Sequence, residues 1–256
     1  MASITTTWIS RKYTVEIEGP NADKLAKWRV LQARFDDFDH QHLLVEKIEE
    51  LGTFMLPNGA ILFSLVNFKT TDRATGKSVP GAIFLRGPAG CVLVFVKCLE
   101  TGERFIPFTR QTRVPVGRFN YFELPAGMID KDDGIKGRMI GEVEEELGIN
   151  IAGPDAPQLQ ELGLWVPSAG GSDEVLTSFF TEVTLSQAQI DVILQSVHGV
   201  ASENEQIHVD MLTISQFVDE LAHDRITDGK ALATLMLYLL REGHVTIARM
   251  LEGRGQ

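Results

Sequence analysis

Residues 91–99 read Cys-Val-Leu-Val-Phe-Val-Lys-Cys-Leu, a run with a single charge. A run this short and this apolar, closed by the turn signal Thr101-Gly102, marks a strand buried on both faces. Cys91 and Cys98 are the only cysteines of the chain. Seven residues apart on a strand, they point to opposite faces. That suits buried free thiols in a reducing compartment, not a disulfide or a metal pair.

Around this strand the chain shows an α+β pattern. Residues 8–18, 59–68, 82–86, 105–113, 162–166, 175–183 and 207–214 have strand character. Pro20-Asn21-Ala22-Asp23 looks like a helix entry, and from there to residue 50 the composition favours helix, with a break near 36–40. Leu25, Trp28 and Leu31, then Leu43, Leu44 and Ile48, would form its apolar faces. Helices are also expected at 135–147, 215–223 and 230–242. Between 114 and 130, Pro115, Gly117, Pro125 and Gly127 indicate a long constrained loop.

The length of 256 residues allows one large domain or a domain with a sizeable extension. A formal charge of -11 argues against a nucleic-acid binder, because phosphate backbones are held by Lys and Arg. It leaves room for a small phosphorylated ligand where a metal reverses the local field. No apolar stretch is long enough to span a bilayer, and residues 1–12 lack the apolar core of a signal peptide. The expectation is a soluble cytoplasmic protein with no membrane contact. The start is also Ser/Thr-rich and free of acids, a composition shared with organelle-targeting leaders.

Chemistry concentrates on the helix at 135–147. Met139, Ile140, Val143 and Leu147 make a stripe that can face a core. At about 100° per residue, Glu142, Glu145 and Glu146 fall within one arc and Glu144 points away. Three carboxylates so close repel one another without a cation, and hard divalent ions such as Mg²⁺ or Mn²⁺ take such oxygen ligands. Taken by itself, the helix reads better as a solvated acidic face, the commoner arrangement for a charge run.

Its flanks decide between the two. From Gly127 to Ile149 the chain resembles the signature of the Nudix hydrolases: Gly127, Glu142, Val143, Glu145, Glu146, Gly148 and Ile149 stand at the family's spacing. Two positions depart from it. Asp133 replaces the early glutamate, and Gly141 stands where the family carries an arginine that orients the acids. Arg138, three residues earlier on the same side, is the candidate substitute. The resemblance runs over about residues 22–245 and is greatest to the ADP-sugar and ADP-ribose diphosphatases, including the plant-type ADP-sugar enzymes. It rests on the segments 109–117, Glu123-Leu124-Pro125-Ala126-Gly127-Met128, 167–174 and 203–209.

The resemblance implies an α/β fold, an α/β/α sandwich with a mixed sheet over 86–256, preceded by an N-terminal α+β extension over 1–85 that takes part in a homodimer. It implies Mg²⁺-dependent hydrolysis of a nucleotide sugar at its diphosphate, with Mn²⁺ an alternative metal. The implied ligands are the Ala126 carbonyl and the carboxylates of Glu142, Glu145, Glu146 and Glu205. Glu203 is implied as the general base, with Glu145 beside it in the catalytic set. Arg113, Met128 and Glu174 are implied as substrate contacts. On residues alone, Glu203 and Glu205 read as loop acids, Arg113 as a surface ion-pair residue and Gly170-Gly171 as a tight turn. The six histidines show no ligand spacing. Two other readings stay open: a different diphosphate substrate such as a UDP-sugar, and a binding module weakened at Gly141.

Overall fold

The computed structural model describes residues 4–9, 13–129, 134–153, 156–200 and 205–241. They form two compact units, one of residues 1–88 with 166–175, the other of 89–165 with 176–256.

The first unit is built on a six-stranded sheet. Its strands are β1 (Ile4–Ile9), β2 (Thr14–Gly19), β3 (Leu43–Met55), β4 (Ile61–Asp72), β5 (Ser78–Val79) and β6 (Ala82–Leu85). Two short helices, α1 (Ala22–Leu25) and α2 (Arg29–Asp36), cover it with Leu25, Leu31 and Phe35 against Ile17, Ile48, Val66 and Phe68. The sequence places helix over residues 43–50, and the structure makes them strand. Leu43–Met55 pairs antiparallel with β4, with register shifts at Val45/Lys47 and Glu50/Gly52. Those shifts put buried Val45 and Ile48 three residues apart, a spacing that mimics a helix face.

The second unit is a seven-stranded mixed sheet. Its strands are β7 (Ala89–Cys98), β8 (Arg104–Arg113), β9 (Arg118–Glu123), β10 (Ala126–Met128), β11 (Gln160–Trp165), β12 (Leu176–Leu185) and β13 (His208–Thr213). The central β7 runs parallel to β12 along its whole length, while the other pairings are antiparallel. Side-chain alternation on β7 feeds two cores. Val92, Val94, Val96 and Cys98 pack under α3 (Gly134–Leu147) and α4 (Gln187–Gln195). Leu93 and Phe95 pack under α5 (Ile214–Ala222) and α6 (Gly229–Arg241). The expected α/β/α sandwich is therefore present. Cys91 and Cys98 are free and buried, in different clusters, as opposite faces require.

One irregularity positions the site. The edge of β7 away from β12 pairs with β8 only at Val96 and Lys97, and with β10 at Ala89–Cys91. The facing edge of β8 takes β9 from Thr109 onward. The two strands thus diverge, and residues 118–128 fill the fork as β9 and β10. The sequence reads most of that stretch as loop.

Candidate active site

Helix α3 presents its acids as its period demands. Glu142 and Glu146 are buried, exposed by 4% and 5%, while Glu144 is exposed. Glu145 keeps 39% of its side chain accessible. On the opposite stripe Met139, Val143 and Leu147 are fully buried. Gly148 ends the helix at φ 68°, a left-handed turn that glycine adopts without strain.

Strand β10 lies against the acidic face. The Ala126 N–H donates to Glu146 Oε2 at 3.2 Å. A Cβ on Gly127 would come within 1.6 Å of Glu142 Oε1, so only glycine leaves room for that carboxylate. Burial, then the nearby Glu142 charge, hold the Glu146 carboxyl well above the usual carboxylate range. The Ala126 N–H and the more distant Arg113 work in the other direction. Arg138 reaches down the same face: its Nη2 is 2.5 Å from Glu142 Oε1 and its Nη1 3.5 Å from Glu145 Oε2. The guanidinium that Gly141 lacks is supplied from one turn earlier. Space beside Gly141 is open, with nothing within 4 Å of an added Cβ.

The late loop returns to this helix. His198 and Ile207 form a two-way backbone bridge, and the Gly199 N–H donates to the Glu145 carbonyl at 2.9 Å. Glu205 packs on Gly199, and its Oε2 accepts from the Val200 N–H at 3.1 Å. The stretch carrying Glu205 is therefore tied to the C-terminal half of α3. Glu203, expected as the base, and Asp133 lie outside the described residues.

Arg113 ends β8, and its Nε pairs with Glu123. Unlike a surface pair, this one has a buried acid, with Glu123 exposed by only 4%. Met128, half-buried, ends β10. Glu174 belongs to the first unit, where it pairs with Arg86 at 3.3 Å while Asp173 Oδ1 accepts from the Arg86 N–H at 2.9 Å.

Sequence reading missed a group behind the site. Lys230 Nζ lies 2.6 Å from Glu123 Oε1 and 3.0 Å from Asp228 Oδ1. Asp228 also accepts from the N–H groups of Lys230 and Ala231, capping α6, and from the Leu124 N–H at 3.4 Å. Burial pulls the Lys230 ammonium down, yet Asp228 and Glu123 outweigh it and hold the group above the ordinary lysine range. The signal that could have revealed it is Asp228-Gly229-Lys230 immediately before an apolar helix.

Among the described residues no three acids, histidines or cysteines stand close enough to form a ready-made metal cage. The donor set nevertheless fits a hard divalent cation. Two buried carboxylates repel each other, a glycine cradle keeps space for one of them, and Glu146 has no ion pair among the described residues. A cleft of about 1010 Å³ bounded by 148–157 and 182–193 does not include these acids. Its one carboxylate, Glu182, is paired with Arg104.

The chain is 34% identical over 188 residues, 70% of its length, to Nudix hydrolase 14, chloroplastic, of Arabidopsis thaliana. Over that stretch the chain is similar to a Nudix hydrolase. It spans 58% of the length of that plant protein. It is also 28% identical over 204 residues to the ADP-ribose pyrophosphatase of Haemophilus influenzae, covering 76% of this chain and 87% of that protein. No family model matches the chain. In fold it is similar to a crystal structure of an ADP compounds hydrolase, with a TM-score of 0.51 at 13% identity, over 79% of this chain and 99% of that one. Within this Nudix frame Gly141 remains a departure in sequence, and Arg138 restores a guanidinium beside Glu142 and Glu145.

Proposed function

We propose that the chain hydrolyses the diphosphate of a nucleoside-diphosphate sugar, of the ADP-ribose or ADP-glucose type, to a nucleoside monophosphate and a sugar phosphate. The observation that carries this reading is the buried pair Glu142 and Glu146 held against Ala126 and Gly127 of β10. The names of the Haemophilus and crystal-structure relatives support an ADP-containing substrate.

The Ala126 carbonyl with Glu142, Glu145, Glu146 and Glu205 would hold Mg²⁺, or Mn²⁺ in its place. The ion supplies neutralisation of the diphosphate charge and a more acidic water. The chain's own groups do the rest. Glu203 accepts the proton of the attacking water, and Glu145 stands beside the reaction on the accessible part of the helix. Arg113 binds a substrate phosphate, Met128 lines the β10 side and Glu174 contacts the substrate. Arg138 holds Glu142 and Glu145 in place.

We take the active form to be a homodimer joined through the 1–85 region. Exposed Leu51, Phe54 and Leu65 of the first unit support an apolar joint there. The compartment is the cytosol or an organelle matrix, where both thiols stay reduced. Among the described residues no helix is long and apolar enough to cross a membrane.

The test is product analysis with ADP-ribose, ADP-glucose and UDP-glucose, with and without Mg²⁺. Mg²⁺-dependent release of AMP from the two ADP compounds is expected. Cleavage of UDP-glucose alone would reassign the base. Gly141 favours a second reading, a nucleotide-sugar binding module. Tight binding of ADP-ribose without any turnover would establish that one instead.

A further inference from the structure

The cluster behind the site has a layout that packing alone does not require. Glu123 divides its two oxygens between two cations: Oε2 takes Arg113 Nε, and Oε1 takes Lys230 Nζ at 2.6 Å. Lys230 is held in turn by Asp228 Oδ1 at 3.0 Å. Asp228 is fixed by the start of α6 and by the Leu124 N–H, two residues before Ala126. The chain thus runs from the first turn of α6, through Lys230 and Glu123, to the guanidinium at the end of β8. The two acids are buried, with 5% of the Asp228 side chain and 6% of the Glu123 side chain exposed, while Lys230 is 20% and Arg113 40% exposed. The accessible end is the one assigned to the substrate.

The charges explain the role. Asp228 and Glu123 are balanced by Lys230 and Arg113, two against two. Arg113 can share its charge with a phosphate only if something else keeps Glu123 neutralised. Without Lys230, the buried Glu123 carboxylate would depend on Arg113 alone and add one uncompensated negative charge beside an anion site.

We infer that Lys230 is a positioning residue. It holds Glu123, and through Glu123 it aims Arg113 at the substrate phosphate. This rests on the diphosphatase reading above, in which Arg113 meets substrate.

The test compares Lys230→Met and Lys230→Arg with the wild type. KM and kcat are measured with ADP-ribose and Mg²⁺, and Mn²⁺ affinity of the substrate-free protein by electron paramagnetic resonance. Lys230→Met should raise KM by about ten-fold while kcat changes far less. Its Mn²⁺ affinity should be equal or higher, because the site has become more negative. Lys230→Arg should recover most of the KM effect. If Lys230→Met fails to fold, E123Q/K230M removes both charges. It should fold and bind Mn²⁺ normally, yet keep the raised KM because Arg113 has lost its anchor.

An unchanged KM in Lys230→Met or in the double variant overturns the inference. So does a joint loss of Mn²⁺ and substrate affinity, which would mean that the whole site has collapsed. A wild-type chain that neither binds nor cleaves a nucleotide diphosphate overturns the underlying functional reading. A wild type that does both, with Lys230→Met indistinguishable from it, overturns only the positioning role.

Discussion

Glu123 and Glu146 are both buried carboxylates of the second unit, exposed by 4% and 5%, yet their surroundings differ in charge. Glu123 sits between Arg113 and Lys230, with Asp228 completing a balanced group of four. Glu146 has a backbone N–H from Ala126 and the repulsion of Glu142. Burying a charge is costly unless it is paired. A chain able to surround one acid with two cations has left the other in deficit, and that deficit lies on the helix whose acids match the Nudix pattern. A stable fold has no use for such a deficit, whereas a divalent cation does. Arg138 offsets part of it at Glu142 and Glu145.

The largest expected effect comes from removing the deficit. Glu146→Gln should lower kcat by roughly a thousand-fold, on the order of 4 kcal/mol in the barrier. The same change should raise the thermal stability of the metal-free protein, since the folded state already favours a neutral group there. The sign follows from linkage. A carboxyl raised in the folded state costs stability as pH climbs from the ordinary glutamate value to the folded one. Metal-free wild type should therefore lose stability over that rise, and the Gln variant should lose less. A variant with lower stability and near-normal turnover breaks the comparison.

Arg138→Ala should cost about ten- to a hundred-fold in kcat/KM, the usual scale for a group that orients ligands. Steady-state kinetics over a Mg²⁺ series measure it, and unchanged rate and metal dependence would remove Arg138 from the site.

The balanced group also loses stability as pH rises, but in a far more alkaline range. Lys230 is raised in the folded state, so its contribution is complete below the unfolded lysine value of about 10.4 and fades only as pH rises through the higher folded value. Denaturant unfolding between neutral pH and pH 11 should show the onset of that loss in the wild type and not in Lys230→Met.

Gly141→Ala sets the smallest expectation. With open space beside it, the change should add about 1 kcal/mol of helix stability and leave activity within two-fold.

Local signals made the acidic helix legible. The stripe Met139, Val143, Leu147 and the terminal Gly148 carry its period and its end within the sequence itself. Strand β7 was legible because both its faces are apolar. Residues 43–50 misled because Leu, Glu and Lys favour helix, and the two register shifts of β3 erase the two-residue alternation. There the pairing with β4 overrides propensity. Helix α4 does carry a local start signal, because Ser186 and Gln189 form a complete capping box. Strands β9 and β10 could not be read from Pro- and Gly-rich residues, because only the divergence of β7 and β8 makes strands of them. The Glu123–Lys230 contact joins residues 107 apart and has no local signature.

Mn²⁺ titration of the metal-free protein by electron paramagnetic resonance, in wild type, Glu146→Gln and Glu123→Gln, most directly separates the two buried acids. Wild type should bind the ion, Glu146→Gln should weaken binding by at least about ten-fold, and Glu123→Gln should change it by less than about three-fold. Equal affinity in wild type and Glu146→Gln, or a loss confined to Glu123→Gln, would contradict a metal site at the uncompensated end of α3.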